Sequence, residues 1–526
     1  METPTINNFK PKDVLRKKPF TRLVPSEHLS AGLNGYPVVS MDAEYREDGM
    51  SYEILTQADF LREYDVNAHK INSIKYYPNP FSKDQEGKVY QKVKSRVAVP
   101  MQSIFHLKRT TSLTGKGLRK KLVSARASEN DQEKLAVFNE GWELKNMEGA
   151  LHDAISADGK IGDVAVCFYL NNGIMGWRCL SYENGDTLYP HYDPVTGKLA
   201  LLGRKYSMLS EDGKEKVQYL DVYDKTNWAR YRFDKEGIKG AIAKAKETVG
   251  LDGWVLEASG AHGFNRIPVA YDRYGEPFWG QSQDLIDKIE ISLSQLMENN
   301  SAYALRILLA FGQDMKVTAD LDGTPSLIES SDPQAKAGFL EPADSSGSFG
   351  AQLMWLKNMA YKGSHVVDDP EIKSGADMSS LTVKMLYADA YLKGQDDADH
   401  FRPFIADIIE LFTYGYSTEI GRQSEFSNFH IVGELEPFVF MSETEDVNAL
   451  VQLRGIGVLS RRSGTERTVD MGYGVASEEE RILQEEHDAL VGLAAEQQTE
   501  QGQQIDASQQ NPVNQARQQM SNAGQA

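Results

Sequence analysis

The chain has 526 residues, 40% of them hydrophobic and 25% charged, with a formal net charge of −19. That length calls for roughly three or four domains, and the composition is that of an ordinary folded protein, which excludes global disorder. The acidic balance excludes a protein whose main affinity comes from Lys and Arg set against phosphates; it suits solubility, and equally a surface past which nucleic acid moves without sticking.

Residues 1–27 are basic and broken by proline, with Lys10, Lys12, Arg16, Lys17, Lys18 and Arg22. An arm is expected here, either loosely ordered or laid on a neighbouring subunit. The segment lacks the apolar run of a signal peptide, and no stretch approaches the roughly 20 apolar residues that span a bilayer. A soluble product with no membrane partner is expected. Cys167 and Cys179 fall in strand-like segments and make neither a disulfide framework nor a zinc pattern. Free thiols and synthesis in a reducing cytoplasm follow.

Helices are expected over residues 56–65 and 131–157, the second from the spacing of Phe138, Trp142, Leu144, Ala150, Leu151 and Ile155. Tyr90–Val99 has strand character. A basic stretch follows, with Lys108, Arg109, Lys116, Arg119, Lys120, Lys121 and Arg126. Its glycines do not make a phosphate loop, since Gly117 rather than Ser or Thr follows Lys116. Residues 162–233 break into short strands separated by Asn-Gly, Thr-Gly and Asp-Gly turns, the pattern of an antiparallel β region.

Ser282 then starts a helix running to about Arg306, with Leu285, Ile289, Leu293 and Leu296 on one face. Asp284, Asp287, Lys288, Gln295 and Glu298 lie on the other. At about 1.5 Å per residue this is a rod of roughly 34 Å, and so narrow an apolar stripe needs neighbours. Short β-like pieces fill 307–349. A second helix covers Gly350–Lys362, carrying Leu353 and Leu356, and a breaker-rich loop covers Gly363–Ser380. Helical pattern resumes over Leu381–Leu392 and again over Phe401–Phe412, with the Asp-rich stretch between them as a cap and Pro403 as a first-turn residue or kink. A strand over Phe429–Leu435 and helices near Glu443–Arg454 and Ser477–Leu493 close the folded part. The tail from Glu496 is rich in Gln, Asn, Ser and Gly and is expected to be disordered.

No chemistry-bearing motif emerges. His400 follows Asp396, Asp397 and Asp399, which is the composition of a polar helix start as much as of a carboxylate–histidine site. Thr318, Asp320, Asp322, Gly323 and Glu329 approach a calcium loop, but the flanks are strand-like and a β-turn is the expectation. Neither a nucleophile elbow nor a dinucleotide fingerprint is found, since the glycine pairs at 455/457 and 472/474 lack the strand–turn–helix context. No catalytic, cofactor or metal site is expected.

Five stretches in order resemble the tailed-bacteriophage portal protein family. They are FLREYDVNAHKI (60–71), ADGKIGDVAVCFYLNNG (157–173), FNRIPVAYDRYGEPFWGQSQDLIDKIEISLSQLMENN (264–300), GADMSSLTVKMLYADAYLK (375–393) and LEPFVFMSETEDVNALVQLRGIGVLSRRSGTER (435–467). The resemblance extends from about Asp59 to His487. It departs at Phe438, where a polar residue is usual, and at Ser379–Ser380, where Ser-Gly is common.

The resemblance implies an α+β subunit with wing, helical stem, β-rich clip and helical crown, assembled as a ring of about twelve copies. Carried onto this chain, 1–27 is an arm, 28–281 the wing, 282–306 and 350–362 the stem helices, and 307–349 the clip. Residues 363–380 become a tunnel loop, 381–441 wing helices and strand, 442–495 the crown and 496–526 the tail. His365, Val366, Val367, Asp368, Asp369, Ile372 and Lys373 would face double-stranded DNA; Leu285, Ile289, Leu293, Leu296, Leu353 and Leu356 would pack the stem. The implied role is a homo-oligomeric (dodecameric) channel at a capsid vertex of the virion, for DNA packaging and ejection. Its implied partners are a packaging ATPase (terminase), a head–tail adaptor, and the major capsid and scaffold proteins. Two rival readings remain: another ring-forming viral protein without DNA passage, and a hydrolase with a diffuse polysaccharide or nucleotide site.

Overall fold

A computed structural model describes residues 11–15, 21–25, 44–45, 51–83, 88–91, 93–123, 129–210, 215–234, 253–304, 307–311, 316–319, 325–329, 334, 336–340, 346–368, 380–437, 451–452 and 482–484. The chain divides into two units, one joining Met1–Ala376 to Met385–Val439, the other joining Asp377–Lys384 to Phe440–Ala526. The described residues of the second unit are helical. The rest of the expected crown, and the tail, lie outside the described residues. The fold is mixed α and β, and no described helix is long and apolar enough to cross a membrane.

The first unit opens with α1 (Pro11–Leu15), then β1 (Thr21–Pro25), β2 (Glu44–Tyr45) and β3 (Ser51–Thr56), paired in the order β1-β3-β2. Helix α2 (Gln57–Tyr64) follows at once, because the Asp59 carboxylate accepts the Thr56 backbone N–H at 2.8 Å and closes its first turn. The short hairpin of β4 (Phe81–Lys83) and β5 (Val89–Gln91) leads to α3 (Met101–Thr114), which starts after Pro100. Next come β6 (Leu118–Leu122), α4 (Glu129–Leu144) and α5 (Met147–Ile161). The single helix expected over 131–157 is two helices. Asn146 takes a left-handed conformation (φ 52°), which interrupts the helical path.

Strands β7 (Val164–Asn171) and β8 (Ile174–Leu180) join β14 (Val269–Asp272) in a three-stranded sheet ordered β14-β7-β8. Between them runs a five-stranded antiparallel meander of β9 (Thr187–Tyr192), β10 (Leu199–Leu209), β11 (Lys216–Tyr223), β12 (Asn227–Phe233) and β13 (Trp254–Ala261). Its polar centre is Arg204, within 2.7 Å of Asp186, beside Asp221, which also pairs with Arg230 at 2.8 Å. Within the N-terminal segment, α1 lies on this sheet of its own chain. Val14 packs with Tyr189, Leu201, Leu220 and Trp254, and Gly203 makes room for it. Cys167 and Cys179 are free thiols, and burial pushes both up to about 12.

Helices α6 (Gln283–Ala304) and α7 (Ser346–Gly363) flank four strands: β15 (Ile307–Phe311), β16 (Lys316–Ala319), β17 (Pro325–Glu329) and β18 (Lys336–Leu340). β15 pairs with β18 and β16 with β17. The calcium-like pattern falls on the β16–β17 pair, with Glu329 opposite Lys316, so its two flanks are strands, as expected of a β-turn.

Helix α8 (Ser380–Glu419) is continuous over 40 residues, where two helices with a cap between them were expected. Pro403 sits inside it. One missing N–H does not break the helix, because Phe401, Phe404, Ile405, Ile408, Ile409 and Phe412 on both sides of the proline enter the main core. The Asp-rich stretch caps nothing: Asp396 pairs with Lys393, Asp397 with Arg109, and Asp399 with Arg402. The helix α9 (Gln423–Phe426) and the strand β19 (Ile431–Leu435) follow, the latter paired with β6. The main core joins α4, α5, β7, β8 and α8 around stacked and edge-on rings of Phe138, Trp142, Phe412 and Tyr416.

Gly159 in α5 lies against Phe278, and a Cβ there would come within 2.5 Å of the ring. Gly159→Ala is expected to destabilise the subunit by about 1–3 kcal/mol. Gly347 in the first turn of α7 has open space around it, so Gly347→Ala is expected to be neutral or to gain up to about 1 kcal/mol. Urea unfolding of the two variants checks the contrast; equal effects would contradict the Phe278 contact.

Candidate functional site

The first region of interest is the helix pair α6–α7 and what leaves it. Along α6, Leu285, Ile289 and Leu293 meet Leu353, Leu356 and Ala360 of α7, Met101 and Phe105 of α3, and Trp279. Leu296 is half-buried. Leu285, Ile289, Leu293, Leu353 and Leu356 therefore pack within the subunit. At one end Ser282 Oγ donates to the Ala360 carbonyl at 2.8 Å and accepts from Ser364 Oγ at 2.8 Å. A Cβ on Gly363 would reach Ser282 Oγ at 2.8 Å, so a small residue suits the closest approach.

The polar side of α6 is also occupied. Residues 93–100 run along it without forming a strand. The Ser95, Val97 and Val99 N–H groups donate to Glu298 Oε1 (3.3 Å), Ser294 Oγ (2.9 Å) and Glu290 Oε1 (2.9 Å). This corrects the strand expected over 90–99, which stops at Gln91. Alternate N–H groups of an extended segment are met by side chains four residues apart on a helix, so no partner strand is needed.

Glu290 is buried and also takes His69 Nδ1 at 2.6 Å, while Lys70 reaches Asp287 at 3.2 Å. Burial works against charge on His69, but the hydrogen bond and charge of Glu290 outweigh it, and its pKa is raised. His69, Glu290 and Ser294 were not singled out from sequence. The signal available was the spacing of Glu290, Ser294 and Glu298, which sets them on one helical stripe next to the leucines.

The expected DNA-facing loop begins in packed structure. Val366 is buried in the same apolar cluster, and Lys108 Nζ donates to the Val367 carbonyl at 2.9 Å. Asp368 pairs with Lys357 at 2.5 Å. His365 has φ 55° and its Nδ1 is 2.9 Å from Asp389 of α8. Asp369, Ile372 and Lys373 lie outside the described residues.

On the outer side of α7, Met354 is 63% and Trp355 62% exposed, with Met359 and Met297 of α6 also exposed. Four cations of the basic stretch that begins in α3 are engaged by acids. Arg109 meets Asp397 at 2.6 Å, Arg119 meets Glu436 at 2.5 Å, Lys121 pairs with Glu434, and Lys120 lies 3.4 Å from Glu148.

A second region surrounds the end of α5. Gly162 ends that helix in a left-handed conformation (φ 87°), which leaves Asp158 in its last turn and Asp163 just beyond. Burial pushes Asp163 up to about 7, against hydrogen bonds from Tyr271 and Gln57. Burial and the charges of Asp272 and Asp163 also raise Asp158 well above the usual carboxylate range. His400 does not meet the aspartates near it in sequence; its Nε2 lies 3.1 Å from Asp272 of β14. That contact raises the His400 pKa against the effect of burial.

Removing the Glu290 carboxylate leaves the Val99 N–H and a buried His69 without their acceptor. Glu290→Ala is expected to cost about 3–5 kcal/mol in chemical unfolding. Since the folded His69 pKa is raised, its contribution is fully present below the unfolded value of about 6.5 and is lost as pH rises through the folded value. Thermal melts from about pH 6 upward should therefore show a fall in stability that His69→Gln flattens. Parallel profiles for the two proteins would mean that His69 is not charged in the fold.

A family model described as phage portal protein, SPP1 Gp6-like, matches residues 53–490. Comparison with curated proteins gives no match.

Proposed function

The chain belongs to the phage portal protein family, and from that premise we propose that it forms a ring-shaped channel at one capsid vertex, through which double-stranded DNA enters during packaging and leaves on ejection. Membership makes it a structural component of the virion capsid and not an enzyme. In this reading α6 and α7 are the stem and strands β15–β18 the clip, where a packaging ATPase and a head–tail adaptor dock. The residues after Asp368, which lie outside the described residues, would meet DNA. Residues 442–495 would supply a crown facing the capsid interior.

The observation that carries the ring is the outer face of α7. Its inner face, Leu353, Leu356 and Ala360, is used within the subunit, while Trp355 and Met354 face outward at more than half exposure. Burying such side chains contributes about 1.5–3 kcal/mol each. A second copy of the chain offers the repeated surface that a closed ring uses many times over. The net charge of −19 per chain suits a channel in which phosphates slide. The packed root from His365 to Asp368 would give the loop a fixed anchor beside moving DNA.

Light scattering with negative-stain imaging tests the ring. The expected result is a particle of about twelve 58.8 kDa subunits with a central hole. Trp355→Asp should shift the population to small species with an unchanged circular dichroism spectrum. Ile289→Asp should instead damage the subunit itself, because Ile289 is buried inside it. Intact rings from Trp355→Asp would remove α7 from the interface. Deleting residues 369–376, beyond the packed root, should leave rings intact and impair packaging or retention of DNA. Normal infectivity would refute the loop's role.

A further inference from the structure

Asp158, Asp272 and His400 come from α5, β14 and α8, and each offers one ligand atom such that all three lie within 4.8 Å of one another. The Asp158 side chain is fully buried. Its Oδ1 faces the Tyr274 N–H at 3.5 Å, while its Oδ2 meets no N–H or hydroxyl donor and the side chain is turned to the Asp272 carboxyl. An unpartnered oxygen inside a fold is costly. Two carboxylates brought together there repel one another unless a proton or a cation lies between them. His400 supplies a third donor, and its ring is held edge-on to Tyr274 at 5.1 Å and to Phe401 at 5.3 Å.

We propose that Asp158, Asp272 and His400 bind a first-row divalent cation, with zinc the best fit. One imidazole nitrogen and two carboxylate oxygens are a zinc-type donor set; magnesium and calcium prefer more oxygens and no imidazole. Donor atoms of a tetrahedral zinc site with bonds of about 2.0 Å lie about 3.3 Å apart. The His400 Nε2 to Asp272 Oδ2 separation of 3.1 Å already has that span. His400 is the exposed member, with its side chain 37% accessible, so the ion has an entry path and a place for water as fourth ligand. The cation ties the end of α5 to the edge strand β14 and to α8. The chain following β14 leads directly into α6, so the site fixes the root of the helix pair.

The test uses the full chain, stripped with chelator and then titrated with zinc chloride, followed by elemental analysis and thermal melting. About one zinc per subunit is expected, with a rise in Tm of about 2 °C or more that chelator reverses. His400→Ala and Asp272→Asn should abolish both uptake and the rise while keeping the circular dichroism spectrum. Asp158→Asn separates a bound cation from a shared proton. It should lose the zinc response if a cation is bound; if the carboxyls share a proton, it should melt as high as the parent or higher, and the parent should take up no zinc. Absence of uptake by the parent, or a zinc response that survives in His400→Ala, overturns the site. None of these readouts depends on ring formation, so they stand apart from the proposed channel.

Discussion

The position of α6 depends on where the N–H groups of residues 95–99 go. An extended segment must satisfy its backbone, and this one does so on the side chains of Glu298, Ser294 and Glu290. The apolar side of α6 is held by α7 and by Met101 and Phe105 of α3, the helix into which the same segment runs. Both sides of the helix are thereby fixed by one stretch of chain and its continuation. Glu290 carries the most, since it accepts from Val99 and pairs with His69 while buried. A rod held on both faces resists bending away from the body, which is what the proposed stem role would require of it.

The parts of this architecture legible in the sequence are those fixed by local periodicity. The stripe of Leu285, Ile289 and Leu293 places α6 to within a residue or two, and the turn signals mark the β7–β8 hairpin and, at Thr196-Gly197, the β9–β10 hairpin, whereas β9 and β13 themselves were not expected as strands. The five stretches that resemble portal proteins gave the family, and the family match over residues 53–490 agrees. Where local signals failed, distant contacts had outweighed them. The alternation in KVKSRVAV looks like a strand, but its partners are on a helix some 200 residues away in sequence. Pro403 and the Asp-rich stretch look like a helix boundary. The helix continues because Phe401 and Phe404 are anchored in the core and the aspartates find Lys393, Arg109 and Arg402.

The Asp158–Asp272–His400 cluster was illegible for a different reason. Its members sit at the end of a helix, the end of a strand and the middle of another helix, so no spacing joins them. His400 drew notice for the aspartates beside it, and those are occupied elsewhere. Only the meeting of α5, β14 and α8 selects Asp272 as its neighbour.

The distribution of charge bears on the proposed role. A chain of net −19 still places a basic stretch at Lys108–Lys121, which in isolation would suggest a grip on phosphate. In the fold, Arg109 is buried against Asp397 and Tyr274, Lys108 holds the Val367 carbonyl, and Arg119 and Lys121 meet glutamates on or beside β19. These cations are committed to tying α3 and β6 to α8, to the β19 region and to the Val367 carbonyl. Counterion release against DNA is what makes a nucleic-acid binder stick, and Arg109, Arg119 and Lys121, already paired with carboxylates, contribute little to it. In the proposed channel, which must let every sequence pass in both directions, that arrangement would be an advantage: positive charge spent on holding the fold together is not available to grip phosphate.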